Sequence, residues 1–125
     1  MQTNVDAILQ AATDTTLFQL VQDEIFDETD SYPAFVLTKR ETTEEPTDSD
    51  YCRFEQNWEY ECHILRKKVD GWQALHDITL EFKKKLAGTQ FRVTRQSRFE
   101  ALVSERDVLV NTLRIAVQNI EDLTS

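Results

Sequence analysis

The stretch from Asn57 to Gly88, NWEYECHILRKKVDGWQALHDITLEFKKKLAG, constrains the fold more than any other part of the chain. Trp58, Tyr60, Cys62 and Ile64 alternate with Glu59, Glu61 and His63, the period of a strand with one buried and one wetter face. The strand ends at the basic run Arg66-Lys67-Lys68. Asp70 then offers an N-cap oxygen, with Gln73 three residues later completing a capping box, so a helix is expected from Gly71 or Trp72. Trp72, Leu75, Thr79, Phe82 and Leu86 recur at threes and fours and form its core stripe. Lys83, Lys84 and Lys85 oppose the negative end of the helix dipole, and Gly88 supplies a left-handed stop.

Around this unit the remaining elements fall in order. Val5, Ile8, Leu9 and Ala12 make a short amphipathic helix behind Thr3 or Asn4, which Thr13-Asp14-Thr15-Thr16 ends. Leu17 to Phe26 holds apolar residues that fit one or two helical turns or a strand edge; a second short helix is the expectation, followed by a turn at DETD, 27–30. Ala34-Phe35-Val36-Leu37-Thr38 after Pro33 is a strand. Glu41 to Asp50, ETTEEPTDSD, contains no apolar residue and is expected to be an exposed, mobile acidic loop. Tyr51 to Gln56 is either a separate strand or the start of the long one. Phe91 to Arg95 alternates as a half-exposed strand that Ser97 to Ser104 continues. Asp107 to Ile120 fits both periods, and its β-rich wording, VLVNTLRIAV, leans towards strand. The fold class is therefore α+β, a single domain spanning 1–125. A mostly antiparallel or mixed sheet carries one long helix and one or two short N-terminal helices.

A chain of 125 residues can bury a conventional core without a disulfide or metal staple. Cys52 and Cys62 form no CxxC pair and read as free cytosolic thiols. The start of the chain lacks the pattern of a signal peptide, and no apolar run is long enough to span a membrane. The net charge of −9 disfavours nucleic acid or an anionic membrane as the main partner.

Chemistry-bearing motifs are sparse. His63 and His76 are the only histidines, and their spacing from Cys52, Cys62 and the carboxylates matches no metal pattern, so neither metal nor cofactor is expected. Glu59 and Glu61 share a strand face without an acid or base fixed beside them, and the two glycines leave no room for a phosphate-binding loop. An enzyme is not expected. Two of the basic clusters sit at element ends; the third, Arg92, Arg95 and Arg98, runs along a strand and could meet acids of another subunit. The candidate interface residues are thus Glu41, Glu44, Glu45, Asp48 and Asp50 on one side and Arg92, Arg95 and Arg98 on the other.

The order of elements resembles the tail-completion proteins of tailed bacteriophages, the tail terminator and head-to-tail joining group. The likeness lies in a short opening helix, the stretch Asp14 to Val21 leading to Ile25-Phe26, and the Tyr-Pro-Ala-Phe-Val strand at 32–36. A polar loop follows, then the strand Tyr60 to Leu65 feeding one long helix, and C-terminal strands. The resemblance implies a non-enzymatic virion protein, assembled in the host cytoplasm, that forms a ring, commonly a hexamer. That ring caps the tail tube, contacts the tube protein and the head-completion or connector protein, and lets DNA pass through its lumen without specific binding. Two other classes stay open. One is an acidic inhibitor that mimics DNA, motivated by the charge and the acid-rich segments at 23–30 and 41–50. The other is an interaction module that forms no ring.

Overall fold

A computed structural model describes residues 2–16, 18–23, 32–46, 53–103 and 106–122. Helix α1 (Gln2–Asp14) is followed by β1 (Leu20–Asp23), β2 (Ala34–Pro46) and β3 (Arg53–Lys67). A single 3-10 turn (Lys68–Asp70), helix α2 (Trp72–Leu86), β4 (Arg92–Val103) and β5 (Arg106–Asp122) complete the chain. Five strands form one sheet in the order β1-β2-β3-β5-β4, antiparallel throughout except for the parallel β1–β2 pair. The chain is thus an α+β domain with a mostly antiparallel sheet.

Both helices lie on one face. Val5, Ile8 and Ala12 of α1 and Leu75, Ile78, Phe82 and Leu86 of α2 pack on Phe35, Leu37, Tyr60, Cys62, Ile64, Leu113 and Ile115. Phe35 is sandwiched between Phe82 and Phe18, with ring centroids 4.8 and 5.6 Å away. The alternation read at Trp58 to Ile64 is the one observed: Tyr60, Cys62 and Ile64 are buried in this layer, while Glu59, Glu61 and His63 line the opposite face. At one end that opposite face holds a second apolar cluster, Ala34, Val36, Leu65, Val108 and Val110, against which Leu20, Tyr32 and Ala101 pack. The C-terminal stretch is strand, and the undecided residues before Trp58 belong to the long strand from Arg53 onward.

Four expectations are corrected. The segment expected to be a second helix contains β1, whose Leu20 and Val21 pack on opposite sides of the sheet as strand neighbours must. The acidic stretch is not a loop from its start: Glu41 to Pro46 continue β2, paired from Glu41↔Glu59 to Pro46↔Phe54, while 47–50 lie outside the described residues. Backbone ladder bonds, which need no apolar side chain, hold that extension. The start of α2 at Trp72 is as expected, but its cap is not Asp70. The N-cap is Gly71 (φ 86°) without a side-chain bond, while Asp70 sits in the 3-10 turn and pairs with Arg66 at 3.2 Å. Gln73 donates to Asp77 instead. Finally, Trp72 is 40% exposed and Ile78 takes its place among the buried residues. At the first position of the helix, Trp72 lies beyond the layer that its stripe neighbours enter. The expected turn at 27–30 lies outside the described residues.

Candidate functional site

The sheet face away from the helices carries the polar chemistry. His63 sits between two threonine hydroxyls, Nε2 2.9 Å from Thr38 Oγ1 and Nδ1 2.8 Å from Thr112 Oγ1. Thr38 occupies the register shift in β2 between Leu37 and Lys39, and its hydroxyl donates to the Glu61 carbonyl at 3.3 Å. This arrangement suits a neutral imidazole that donates from Nε2 and accepts at Nδ1. Burial pushes His63 below its ordinary value, and the nearby Glu61 carboxylate opposes that shift. Glu59 and Glu61, read from the sequence as lacking a partner, are both engaged by Arg114 across the β3–β5 pair, at 3.5 and 3.7 Å. Arg114 was hidden because its only sequence signal is its place in the β5 alternation beside Thr112 and Ala116.

The arginines of β4 do not act as one set. A register shift between Val93 and Arg95 puts Arg92 (opposite Ala116) and Arg95 (opposite Arg114) on the face away from the helices. Arg98 falls opposite Asn111 on the helix side, where its Nη2 lies 3.2 Å from His76 Nδ1. Arg92 and Arg95 are exposed, and their side chains make no hydrogen bond or ion pair with a described residue. Residues of this strand line two open depressions together with residues of β3 and β5. One of about 510 Å³ is lined by Trp58, Gln90, Arg92 and Thr94 among others; the second, about 310 Å³, is lined by His63, Arg95, Ser97, Phe99, Thr112 and Arg114 among others.

On the far side of the sheet, β1 covers only Ala34–Leu37 of β2, so from Thr38 to Pro46 that strand has no outer partner among the described residues. Glu41, Glu44 and Glu45 therefore lie along a free edge, and Asp48 and Asp50 fall outside the described residues. Within the β2–β3 ladder Glu41 stands opposite Glu59, and Glu45 pairs with Glu55 in the backbone register. The structure does not bring the acidic and basic candidates together within one copy, because β3 and β5 stand between β2 and β4.

Among the described residues no group of three His, Cys, Asp or Glu side chains is gathered as a metal site. No described helix is long and apolar enough to cross a membrane. No protein-family model matches the chain, and no curated protein matches it significantly in sequence.

Proposed function

We propose that the chain is a structural virion protein that assembles head to tail into a ring, caps the phage tail tube and joins tail to head. The observation that carries this reading is that β2 beyond Leu37 and β4, at opposite sides of one sheet, have no outer strand among the described residues. β2 and β5 run one way, β3 and β4 the other. A neighbouring copy in the same orientation thus presents β4 antiparallel to β2, and the sheet continues across the boundary with the favoured hydrogen-bond pattern. Contacts of this heterologous kind close into a ring or propagate as a filament. A strand edge left bare in a folded protein is a hazard, and pairing with another copy removes it. The partners are then the chain itself, the tail tube protein and the head-completion protein, with DNA passing through the lumen. The acidic-decoy reading is the weaker one, because Glu59 and Glu61 are already engaged by Arg114.

Light scattering and negative-stain microscopy of the purified protein, together with mass spectrometry of purified virions, test the proposal. Closed rings in solution, or the chain at the tail end of virions, are the expected results. A strict monomer that is also absent from virions overturns it.

A further inference from the structure

The sheet face away from the helices is built in cross-strand rows that run from β3 over β5 to β4. Glu61 stands opposite Arg114 and Arg114 opposite Arg95; His63, Thr112 and Ser97 form the next row, and Leu65, Val110 and Phe99 the one after it. Acid therefore collects on the β3 side of Arg114, and a second guanidinium stands on its β4 side. Like charges directly opposite in a ladder repel. Arg114 reaches Glu59 and Glu61 only at 3.5 and 3.7 Å, longer than the roughly 2.7–2.9 Å of a close charge-assisted bond. Arg95 and Ser97 are exposed, and neither side chain has a partner among the described residues. Thr112 is already engaged, its hydroxyl 2.8 Å from His63 Nδ1. Arg95, Arg114, Ser97 and the exposed Phe99 all line the depression of about 310 Å³.

We infer that this depression binds a small aromatic oxyanion, with the charged group between Arg95 and Arg114 and the ring against Phe99. Facing guanidiniums present forked N–H donors of the kind that phosphate and carboxylate oxygens accept in pairs, and an anion placed there offsets their mutual repulsion. Arg95 gives up no partner in binding it. Ser97 adds a hydroxyl donor one row along, towards Phe99, whose half-open ring supplies an apolar surface for the flat part of the ligand. Glu61 sets the limit of the site. Its carboxylate, on the β3 side of Arg114, repels an anion and confines the ligand to the β4 half of the face. A volume of about 310 Å³ lies at the small end for ligand sites, room for one ring with its charged group. Because the depression is open, salt screens the attraction and binding depends on ionic strength.

The site lies on the sheet face and not on its outer edges, so it stands or falls independently of the ring reading. Nuclear magnetic resonance titration of the isotope-labelled protein with phenyl phosphate at low salt tests it. Inorganic phosphate and benzyl alcohol, titrated separately, divide the contributions of charge and ring. Saturable shifts at the amides of Arg95, Ser97 and Phe99 are expected with phenyl phosphate, weaker binding with inorganic phosphate, and none with benzyl alcohol. Arg95→Gln, a change at an exposed side chain, should weaken phenyl phosphate at least roughly tenfold. Lys85→Gln, which removes an exposed cation from the last turn of α2, should leave the affinity at the parent value. Glu61→Gln, which removes the repelling carboxylate and frees Arg114, should tighten binding. Shifts that do not saturate, or equal losses in Arg95→Gln and Lys85→Gln, overturn the site; equal affinities for phenyl and inorganic phosphate overturn the part given to Phe99.

Discussion

Replacing Phe82 by alanine tests whether the α2 stripe is core or contact surface. The Phe82 side chain is fully buried, 4.8 Å between centroids from Phe35, and belongs to the cluster that joins both helices to the sheet. Truncation removes roughly 150 Å² of buried apolar area, about 4 kcal/mol at ~25 cal/mol/Å². The void and the lost ring contact add to this and local relaxation subtracts, leaving about 3–5 kcal/mol. A domain of this size has a total stability of roughly 6–19 kcal/mol, so the variant should still fold, with a melting temperature lower by roughly 10–20 °C. Trp72→Ala is the matched control: its ring is 40% exposed at the start of α2, and a cost of about 1 kcal/mol is expected. Urea denaturation followed by far-ultraviolet circular dichroism measures both without relying on tryptophan as the probe. Equal costs for the two variants, or a Phe82→Ala midpoint at the parent value, would refute the packing argument and turn the stripe towards a partner.

Two further outcomes follow from individual side chains. His63 is held neutral by burial, below the ordinary 6.5, with Glu61 opposing and Arg95 and Arg114 lining the same depression. The unfolded chain binds a proton that the folded one resists, so the contribution is fully present above about pH 6.5 and declines as pH falls below it. His63→Gln should therefore lose less melting temperature than the parent between about pH 7.5 and 5.5, and identical slopes would contradict this. The Cys62 thiol is buried, donates to the Leu113 carbonyl at 3.7 Å and is pushed up strongly by desolvation, with Glu61 adding to the rise. In a Cys52→Ser background it should react with an aromatic disulfide reagent only in denaturant; rapid native labelling would show the site to be open.

What could be read from the sequence was whatever leaves an apolar period. The strand and helix between Asn57 and Gly88, α1 and the sense of β5 all bury one face, and that burial writes itself into residue spacing. The polar half of β2 leaves no such trace, because its order comes from backbone pairing to β3. β1 is four residues long, too few for a period, and becomes a strand through the neighbouring edge of β2. Asp70 failed as a cap because a 3-10 turn and Gly71 stand before α2, a geometry that capping patterns do not encode. The candidate site was half legible for a related reason. Arg92, Arg95 and Arg98 are evenly spaced in sequence, yet one irregularity after Val93 keeps the first two on one face and sends the third to the other. A single extra residue in a strand reverses the facing of everything beyond it, so spacing alone could name these arginines but not divide them.

The same ladder logic sets the cost of the β2 extension. Fixing each residue of the extension costs about 1–2 kcal/mol of backbone entropy. Against this stand net gains of about 0.5–1.5 kcal/mol per hydrogen bond and a few tenths per favourable cross-strand pair. Glu41 and Thr42 to Thr43 are exposed, so burial adds little there. From Thr38 to Pro46, β2 has no outer partner among the described residues, and there the row of ladder bonds shared with β3 offsets the entropy. A second strand on that side supplies a second row for the same residues, whose backbone entropy has already been given up. On the ring reading, a neighbour's strand docking there would form its backbone bonds on a strand held in place beforehand.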